Sequence, residues 1–162
     1  MLVRALRDVL VPALQERGFV PLPLDGDDAR STEIRTAFPF GRFRRPRGED
    51  FEQIEIQLDK HQRAAFRLNA ALVPGGGIDH AVGHVPCASV WIHYMSQFSE
   101  LYLRPALRSW FALPRWRRGE PTPADFEALV RTAAGLLPEL EQAIGRGGSG
   151  WKFGSHVRQV RA

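Results

Sequence analysis

Cysteine, lysine and long apolar runs are all scarce in this chain of 162 residues. The single cysteine, Cys87, cannot form a disulfide within the chain, which excludes a disulfide-stapled secreted scaffold. No apolar run approaches the roughly 20 residues that a membrane-spanning helix needs. The N-terminal stretch mixes arginine and aspartate into its apolar residues, so it does not resemble a signal peptide. These absences predict a cytoplasmic protein without a membrane partner.

The basic charge comes almost entirely from arginine, because Lys60 and Lys152 are the only lysines. There are 22 basic and 18 acidic residues, for a net charge of +4 and a sequence pI near 10.0. Hydrophobic residues make up 44% and charged residues 25%, a balance typical of a globular domain. We expect one α+β domain over residues 1–145. A Gly/Ser-rich linker and a basic tail are expected over 146–162.

Helical patterns occur at both ends of the predicted domain. Leucines at every fourth position from Leu2 to Leu14 predict a helix over residues 2–17, which Gly18 ends and Pro12 kinks or shortens. Thr122 and Asp125 have the spacing of a capping box, which predicts a helix from Pro123 that breaks at Pro138 and continues to Ile144. Weaker patterns predict strands over 19–24, 33–40 and 88–94 and a helix over 97–111.

Alternation of apolar and polar residues predicts a β-hairpin from 51–58 and 66–72. Ile54, Ile56, Phe66 and Leu68 form its apolar face. A three-residue loop over 60–62 would place Ile56 beside Phe66 and Ile54 beside Leu68, and would pair Glu55 with Arg67 and Asp59 with Arg63. The predicted fold is therefore α/β of the α+β type: an antiparallel sheet around a central β-hairpin, packed against an N-terminal helix and C-terminal helices.

The opposite face of the hairpin is the first candidate site. Its polar side chains are expected to point to solvent and to bind a partner through hydrogen bonds, since one face of an antiparallel sheet is often wet. These residues are Gln53, Glu55, Gln57, Arg67 and Asn69.

Several of these segments together resemble a known family. They are the glycine–phenylalanine pair after the first helix, the two hairpin strands with Gln57 and Asn69, the stretch 106–110 and the helix end at 137–140. Over about residues 1–145 the chain resembles the bacterial family catalogued as domain of unknown function 4304. That resemblance implies an antiparallel sheet packed on helices and brings no established activity, cofactor or catalytic residue.

Two arginine clusters are the second candidate site. Arg42, Arg44, Arg45 and Arg47 are expected on a loop, where they would attract an anionic partner. The other cluster is interleaved with Trp110, Phe111 and Trp116, and its arginines are Arg104, Arg108, Arg115, Arg117 and Arg118. Basic residues with aromatic neighbours can follow a phosphate backbone and stack on bases, so nucleic-acid binding is one alternative function.

Histidines near the cysteine suggest a metal-dependent enzyme as another alternative, because imidazole and thiolate are good zinc ligands. The residues are His80, His84, Cys87 and His93. Their spacing matches no zinc motif, so we predict no metal and no cofactor. A toxin-immunity protein is a third alternative, although an inhibitor of a basic nuclease should be acidic and this chain is basic. The favoured prediction is a non-enzymatic binding domain for a protein or an anionic partner.

Overall fold

The first helix follows the predicted span but changes its winding. The structure, a computed structural model, describes residues 1–24, 26–61, 63–81, 83–104, 107, 109–114, 119–145 and 155–161. Helix α1 (Leu2–Ala5) continues into a π-helical stretch, Leu6–Leu10, and then into α2 (Val11–Glu16). The wider π turns lie just before Pro12, whose ring would clash with the carbonyl four residues earlier in a regular helix. Gly18 ends the helix with a φ of +83°.

An antiparallel sheet forms the middle of the molecule. Its strands are β1 (Val20–Leu22), β2 (Arg42–Arg47), β3 (Asp50–Leu58), β4 (Ala65–Val73), β7 (Gln97–Leu101), β8 (Phe111–Ala112) and β9 (Val157–Arg161). The order across the sheet is β1-β2-β3-β4-β7-β9, and β8 pairs with the beginning of β4. Strands β5 (Ile78–His80) and β6 (Gly83–Val85) form a separate hairpin.

The central hairpin β3–β4 confirms the predicted strands, and its apolar face is buried as predicted. Its register differs by two residues: Ile56 lies beside Leu68 and Ile54 beside Ala70. The prediction assumed a loop that was too short. The strands are separated by residues 59–64, and the Asp59 carboxylate closes this turn by accepting from the His61 N–H at 2.8 Å.

The new register also changes the predicted cross-strand pairs. Glu55 lies opposite Asn69 instead of Arg67, and Arg67 lies opposite Gln57. The predicted Asp59–Arg63 ion pair does form, within the turn. A two-residue shift keeps each side chain on its predicted face, so the division into an apolar and a polar row holds.

The apolar face packs against the first helix and two C-terminal helices. Helix α5 (Pro123–Gly135) begins with the predicted capping box, in which the Thr122 N–H donates to Asp125 Oδ2 at 2.7 Å. Helix α6 is Leu137–Gly145. The buried side chains of this core include Leu6, Leu10, Ile54, Ile56, Phe66, Leu68, Val130 and Leu140. No helix in the described part of the chain is long and apolar enough to cross a membrane.

A thinner layer covers the other face of the sheet. It contains α3 (Gly26–Arg30), α4 (Thr32–Ala37) and residues 87–94. We call residues 87–94 the covering segment. The covering segment forms two 3₁₀ turns, Cys87–Ser89 and Ile92–Tyr94. Phe38 and Trp91 pack together in this layer, with ring centroids 5.1 Å apart.

Three predicted elements are wrong. Residues 33–40 are mostly helical, because Ser31 Oγ accepts from the Ile34 N–H at 3.3 Å and caps α4. Residues 88–94 belong to the covering segment instead of forming a strand. The described residues in 97–111 contain β7 and β8 instead of a helix, since pairing with β4 and β9 outweighs a weak helical pattern.

The end of the chain contributes to the sheet. Residues 146–162 were predicted to be a linker and a tail, but β9 pairs with β7 along its whole length. Glu139 of α6 holds the residues before β9, because its Oε1 accepts from the His156 N–H at 2.6 Å and from Ser155 Oγ. The predicted linker, 146–150, and residues 151–154 lie outside the described residues.

Candidate functional site

Three neighbouring strands bring the predicted polar residues onto one face of the sheet. The register pairs Arg44 with Gln53, and it places Glu55 between Arg42 on β2 and Asn69 on β4. Gln57 lies opposite Arg67, further along the same face. Of the nine polar residues predicted from the hairpin and the arginine segment, two arginines, Arg45 and Arg47, lie outside this face. The other seven form what we call the polar row: Arg42, Arg44, Gln53, Glu55, Gln57, Arg67 and Asn69.

The predicted solvent exposure of this face is wrong for its central residues. Gln53 and Glu55 are 0% exposed and Asn69 is 4% exposed, because α4 and the covering segment lie over the sheet. A buried polar side chain needs hydrogen-bond partners inside the protein. The row is therefore a buried polar network with one accessible end.

Glu55 and Gln53 fasten the covering segment to the sheet. Gln53 Nε2 donates to the Val90 carbonyl at 3.0 Å and to Glu55 Oε1 at 2.7 Å. The Ile92 N–H donates to the same Glu55 oxygen at 2.8 Å. Both backbone groups belong to the covering segment, so two side chains of β3 attach this segment to the face of the sheet.

Burial shifts the proton equilibrium of Glu55. The loss of hydration raises its pKa to about 7, against the opposing effects of the Ile92 and Gln53 hydrogen bonds and of the Arg42 and Arg44 charges. Glu55 Oε2 is buried without a hydrogen-bond partner among the described residues. The Glu55 carboxyl therefore holds its proton to a higher pH than an exposed glutamate does.

Arg42 and Arg44 also hold the covering segment on the sheet. Arg44 Nε donates to Gln53 Oε1 at 2.6 Å, and Arg44 Nη2 donates to the Cys87 carbonyl at 2.6 Å. The Arg42 guanidinium lies 4.7 Å from the centroid of the Trp91 ring. Both arginines are nearly fully buried, at 2% and 8% exposure. The segment predicted to be an anion-binding loop is thus a strand, and its first two arginines are buried against the covering segment.

The other two arginines of that segment form partly buried ion pairs. Arg45 pairs with Glu52 and, at 2.9 Å, with Glu141. Arg47 Nη1 lies 3.2 Å from Glu52. These pairs reduce the positive charge available to a phosphate backbone, so the first cluster gives the nucleic-acid alternative little support. In the second cluster Arg104 is exposed, whereas Arg108, Arg115, Arg117 and Arg118 lie outside the described residues.

The accessible end of the polar row is built from Gln57 and Arg67, which are half-buried and lie next to the buried Asn69. Gln57 Oε1 accepts from Arg67 Nε and from Asn69 Nδ2, each at 2.9 Å. Arg67 Nη1 donates to Tyr102 Oη at 3.0 Å and lies 2.6 Å from Glu100 Oε1. The Arg67 guanidinium is thereby held in one orientation, with a buried carboxylate balancing its charge.

A cleft of about 680 Å³ opens above these three residues, and we call it the α4 cleft. Gln57, Arg67 and Asn69 line it on the sheet side. Ile34 and Phe38 of α4 and its C-cap line the opposite wall, and the cleft also reaches Phe98, Trp110, Lys60, His61 and His93. Its volume is in the range of small-molecule sites, and such sites are mostly apolar with a few convergent polar groups.

Aromatic surfaces border the polar floor of the α4 cleft. The Arg67 guanidinium stacks on Trp110, with its central carbon 4.8 Å from the ring centroid. Burial lowers the pKa of His93, so its imidazole is neutral at neutral pH. Arg63 on the rim is paired with Asp59. The cleft therefore suits a flat molecule that meets hydrogen-bonding groups at one edge.

A second cavity touches the polar row at its other end. It measures about 520 Å³ and lies beside β1, where Arg42 and Arg44 line it together with apolar residues such as Leu22 and Phe51. Because the covering segment already engages both arginines, this cavity offers fewer available hydrogen-bonding groups than the α4 cleft.

The histidines and the cysteine do not converge. His80 and His84 lie on the β5–β6 hairpin, where His84 Nδ1 is 3.0 Å from Asp79 Oδ1. His93 faces the α4 cleft, and Cys87 Sγ accepts from Arg44 Nη1 at 3.5 Å. Among the described residues, no three His, Cys, Asp or Glu side chains are placed to hold a metal ion.

Sequence reasoning missed the residues that complete the cleft. Glu100 and Tyr102 were assigned to a helix, so their approach to Arg67 was not expected. Ile34 and Phe38 were assigned to a strand, although their four-residue spacing after Ser31 is a helical signal. That spacing was the one clue in the sequence to a helix over the polar face.

Comparison with known proteins gives no relative: no protein-family model, no curated protein and no solved structure matches this chain. The class of the protein is accordingly defined by its fold, an α+β domain with a helix-covered antiparallel sheet.

Proposed function

We propose that this protein is a non-enzymatic binding domain whose α4 cleft holds a small organic molecule. The observation that carries the proposal is the coincidence of a cleft of about 680 Å³ with Gln57, Arg67 and Asn69, three side chains that the sequence already marked as a binding surface. The resemblance to the family of domain of unknown function 4304, a bacterial origin and a cytoplasmic location belong to the same proposal.

The shape of the polar face favours a small molecule over a protein partner. A protein needs a broad exposed surface, whereas α4 and the covering segment leave only the end of the polar row open. The charge balance also disfavours a purely anionic ligand, because Glu100 lies 2.6 Å from Arg67. The sequence suggested a protein or an anionic partner, and these two effects favour a small molecule that is not purely anionic.

A binding role fits the chemistry of the described groups better than catalysis does. Arg67 and Asn69 both donate to Gln57, and neither a guanidinium nor a side-chain amide is a nucleophile. Cys87 accepts from Arg44, and no described histidine bonds to its sulfur. The arrangement positions hydrogen-bond donors and acceptors without a nucleophile–base pair.

The test is whether the α4 cleft binds a flat neutral molecule. Quinoline is titrated into the isotope-labelled full chain, and the side-chain amide signals of Gln57 and Asn69 are followed by NMR. We expect a dissociation constant of about 1 mM, as for a ten-atom fragment. Ile34→Trp should fill the cleft and abolish these shifts, since Ile34 lines it.

Thr36→Trp is the matched control, because Thr36 lies on the exposed side of the same helix. It should bind quinoline as the wild type does. Equal binding by Ile34→Trp and the wild type, or no amide shift in either, would overturn the assignment of the site.

A further inference from the structure

The cavity beside β1, which we call the β1 cavity, joins apolar walls to two arginines. It measures about 520 Å³, and its described lining is apolar apart from Arg42 and Arg44. Leu22 comes from β1, Phe51 from β3 and Ala88 from the covering segment. Walls of this kind suit the apolar part of a small ligand.

Arg44 is a buried cation that has no carboxylate partner. Its Nε donates to Gln53 Oε1, and its Nη2 donates to the Cys87 carbonyl and, at 3.4 Å, to the Val90 carbonyl. Its Nη1 donates to the Cys87 sulfur. No carboxylate of the described residues lies within ion-pair distance of its guanidinium. Buried charges are ordinarily paired with an opposite charge, so Arg44 is an exception to that rule.

The neighbouring charges do not replace a carboxylate at Arg44. Arg42 has Asp28 Oδ2 at 3.9 Å and adds a second positive charge to the wall of the β1 cavity. Glu55 is fully buried, and the resulting rise of its pKa makes it a weaker counter-charge than an exposed glutamate. Burial, together with the Arg42 charge, lowers the pKa of Arg44. The positive charge of Arg44 is therefore poorly compensated within the described part of the protein.

Arg44 is part of the accessible wall of the β1 cavity. The central carbon of its guanidinium lies 5.8 Å from the centroid of the Phe51 ring, and its bond to the Cys87 carbonyl places it next to Ala88. Phe51 and Ala88 line the same cavity. The five N–H groups of the guanidinium meet four described acceptors, so one N–H remains for a further acceptor.

We infer that the β1 cavity is a second binding site, which takes a small apolar molecule that carries one carboxylate. The carboxylate lies against Arg44 and supplies a counter-charge, and the apolar part lies against Leu22 and Phe51. A charge-assisted hydrogen bond to arginine is about twice as strong as a neutral one, and a partly buried site strengthens it further.

The inferred ligand differs from the one proposed for the α4 cleft. The two cavities share no described lining residue. In the α4 cleft Arg67 already faces the Glu100 carboxylate at 2.6 Å, whereas Arg44 in the β1 cavity has no such partner. A carboxylate therefore favours the β1 cavity, and the inference stands or falls separately from the proposed function.

Three probes with the same six-carbon chain test the inference on the wild-type protein: hexanoate, hexanol and hexylammonium. Each is titrated at constant ionic strength into the isotope-labelled full chain, and the methyl signals of Val20 and Leu22 are followed by NMR. We expect hexanoate to bind with a dissociation constant on the order of 1 mM and at least about tenfold more tightly than hexanol. Hexylammonium should give no saturable shift, because Arg42 and Arg44 repel it.

Val20→Trp tests the location of the site. Val20 lines the β1 cavity and is 59% exposed, so a tryptophan there should block the cavity and abolish the hexanoate shift of Leu22. Val3→Trp is the matched control, because Val3 is an exposed residue of α1 outside the cavity. Ile34→Trp should also leave hexanoate binding unchanged. Binding that survives Val20→Trp and is lost in Ile34→Trp would place hexanoate in the α4 cleft and overturn the inference.

Arg44→Gln tests the role of the charge. It should remove the preference for hexanoate over hexanol, whereas Arg47→Gln, on the same strand but outside the cavity, should keep it. A preference that persists in Arg44→Gln overturns the inference. In the wild type, hexanol binding as tightly as hexanoate, or no binding of hexanoate at millimolar concentration, overturns it as well, even if Arg44→Gln folds poorly. These outcomes leave the α4 cleft untouched, since quinoline binding is measured separately.

Discussion

Glu55 is the fully buried carboxyl group of the polar row. One carboxylate oxygen accepts two hydrogen bonds and the other accepts none among the described residues. Burial removes the hydration that stabilises the charged carboxylate, which is why the pKa of Glu55 is raised to about 7. The ionisation of Glu55 should therefore contribute to the pH dependence of stability.

The sign of that dependence follows from linkage. The folded pKa of about 7 lies above the ordinary 4.5, so the folded state binds more protons than the unfolded state between these values. The contribution of Glu55 to stability is complete below pH 4.5 and is lost as the pH rises through 7. Relative to Glu55→Gln, which cannot ionise, the wild type should lose roughly 3 kcal/mol across this range.

Urea unfolding of both proteins between about pH 5 and about pH 8 measures this difference. Glu49→Gln is the control, since Glu49 is exposed and its removal should leave the pH profile parallel to that of the wild type. If the Glu55→Gln profile is parallel too, Glu55 does not titrate near neutrality in the folded protein.

Single residues also show where sequence reasoning ends. Alternation assigned Gln53, Glu55 and Asn69 to the correct face, because the period of a strand is a local property. Whether that face is wet depends on α4 and the covering segment, which lie far away in the sequence. The Arg67–Glu100 ion pair depends on such distant pairing as well.

Among the elements, the ones predicted correctly carry their signals within a few residues. The capping box at Thr122 and Asp125 and the alternation in β3 and β4 are local patterns. Strand β7 has no such pattern, and it forms because β4 and β9 pair with it from both sides. An element stabilised by its neighbours cannot be predicted before those neighbours are placed.

Strand β9 is an element whose attachment can be measured directly. Val157 is 5% exposed and belongs to the main core, whereas Val160, on the other face of the strand, is only half-buried. Val157→Ala should lower the free energy of unfolding by about 2 kcal/mol through the loss of buried methyl groups. Val160→Ala should cost less than half as much.

Chemical denaturation measures the free energy of unfolding of both variants. Because each variant replaces valine by alanine, the same atoms are removed at both positions. Equal and small effects would mean that β9 does not pack on the core in solution. A large effect at Val160 alone would place the opposite face of β9 against the protein.

At the scale of the whole molecule, stability should be graded from the middle of the sheet outward. Strands β3 and β4 each have a partner on both sides, and their two faces are covered by the helices and by the covering segment. The β5–β6 hairpin pairs with no other strand among the described residues. A two-stranded hairpin alone is marginally stable in water, so this part can open while the sheet stays intact.

Native-state hydrogen exchange tests this gradient. The amides of Ile56 and Leu68 should exchange only through global unfolding, and their exchange rates should rise steeply with denaturant. The amides of the Ile78–Val85 pair should exchange at least about a thousandfold faster and respond little to denaturant. If the amides of the hairpin and of the central sheet showed the same denaturant dependence, the hairpin would unfold together with the sheet. The covering segment that begins at Cys87 would then belong to the same cooperative unit as Glu55.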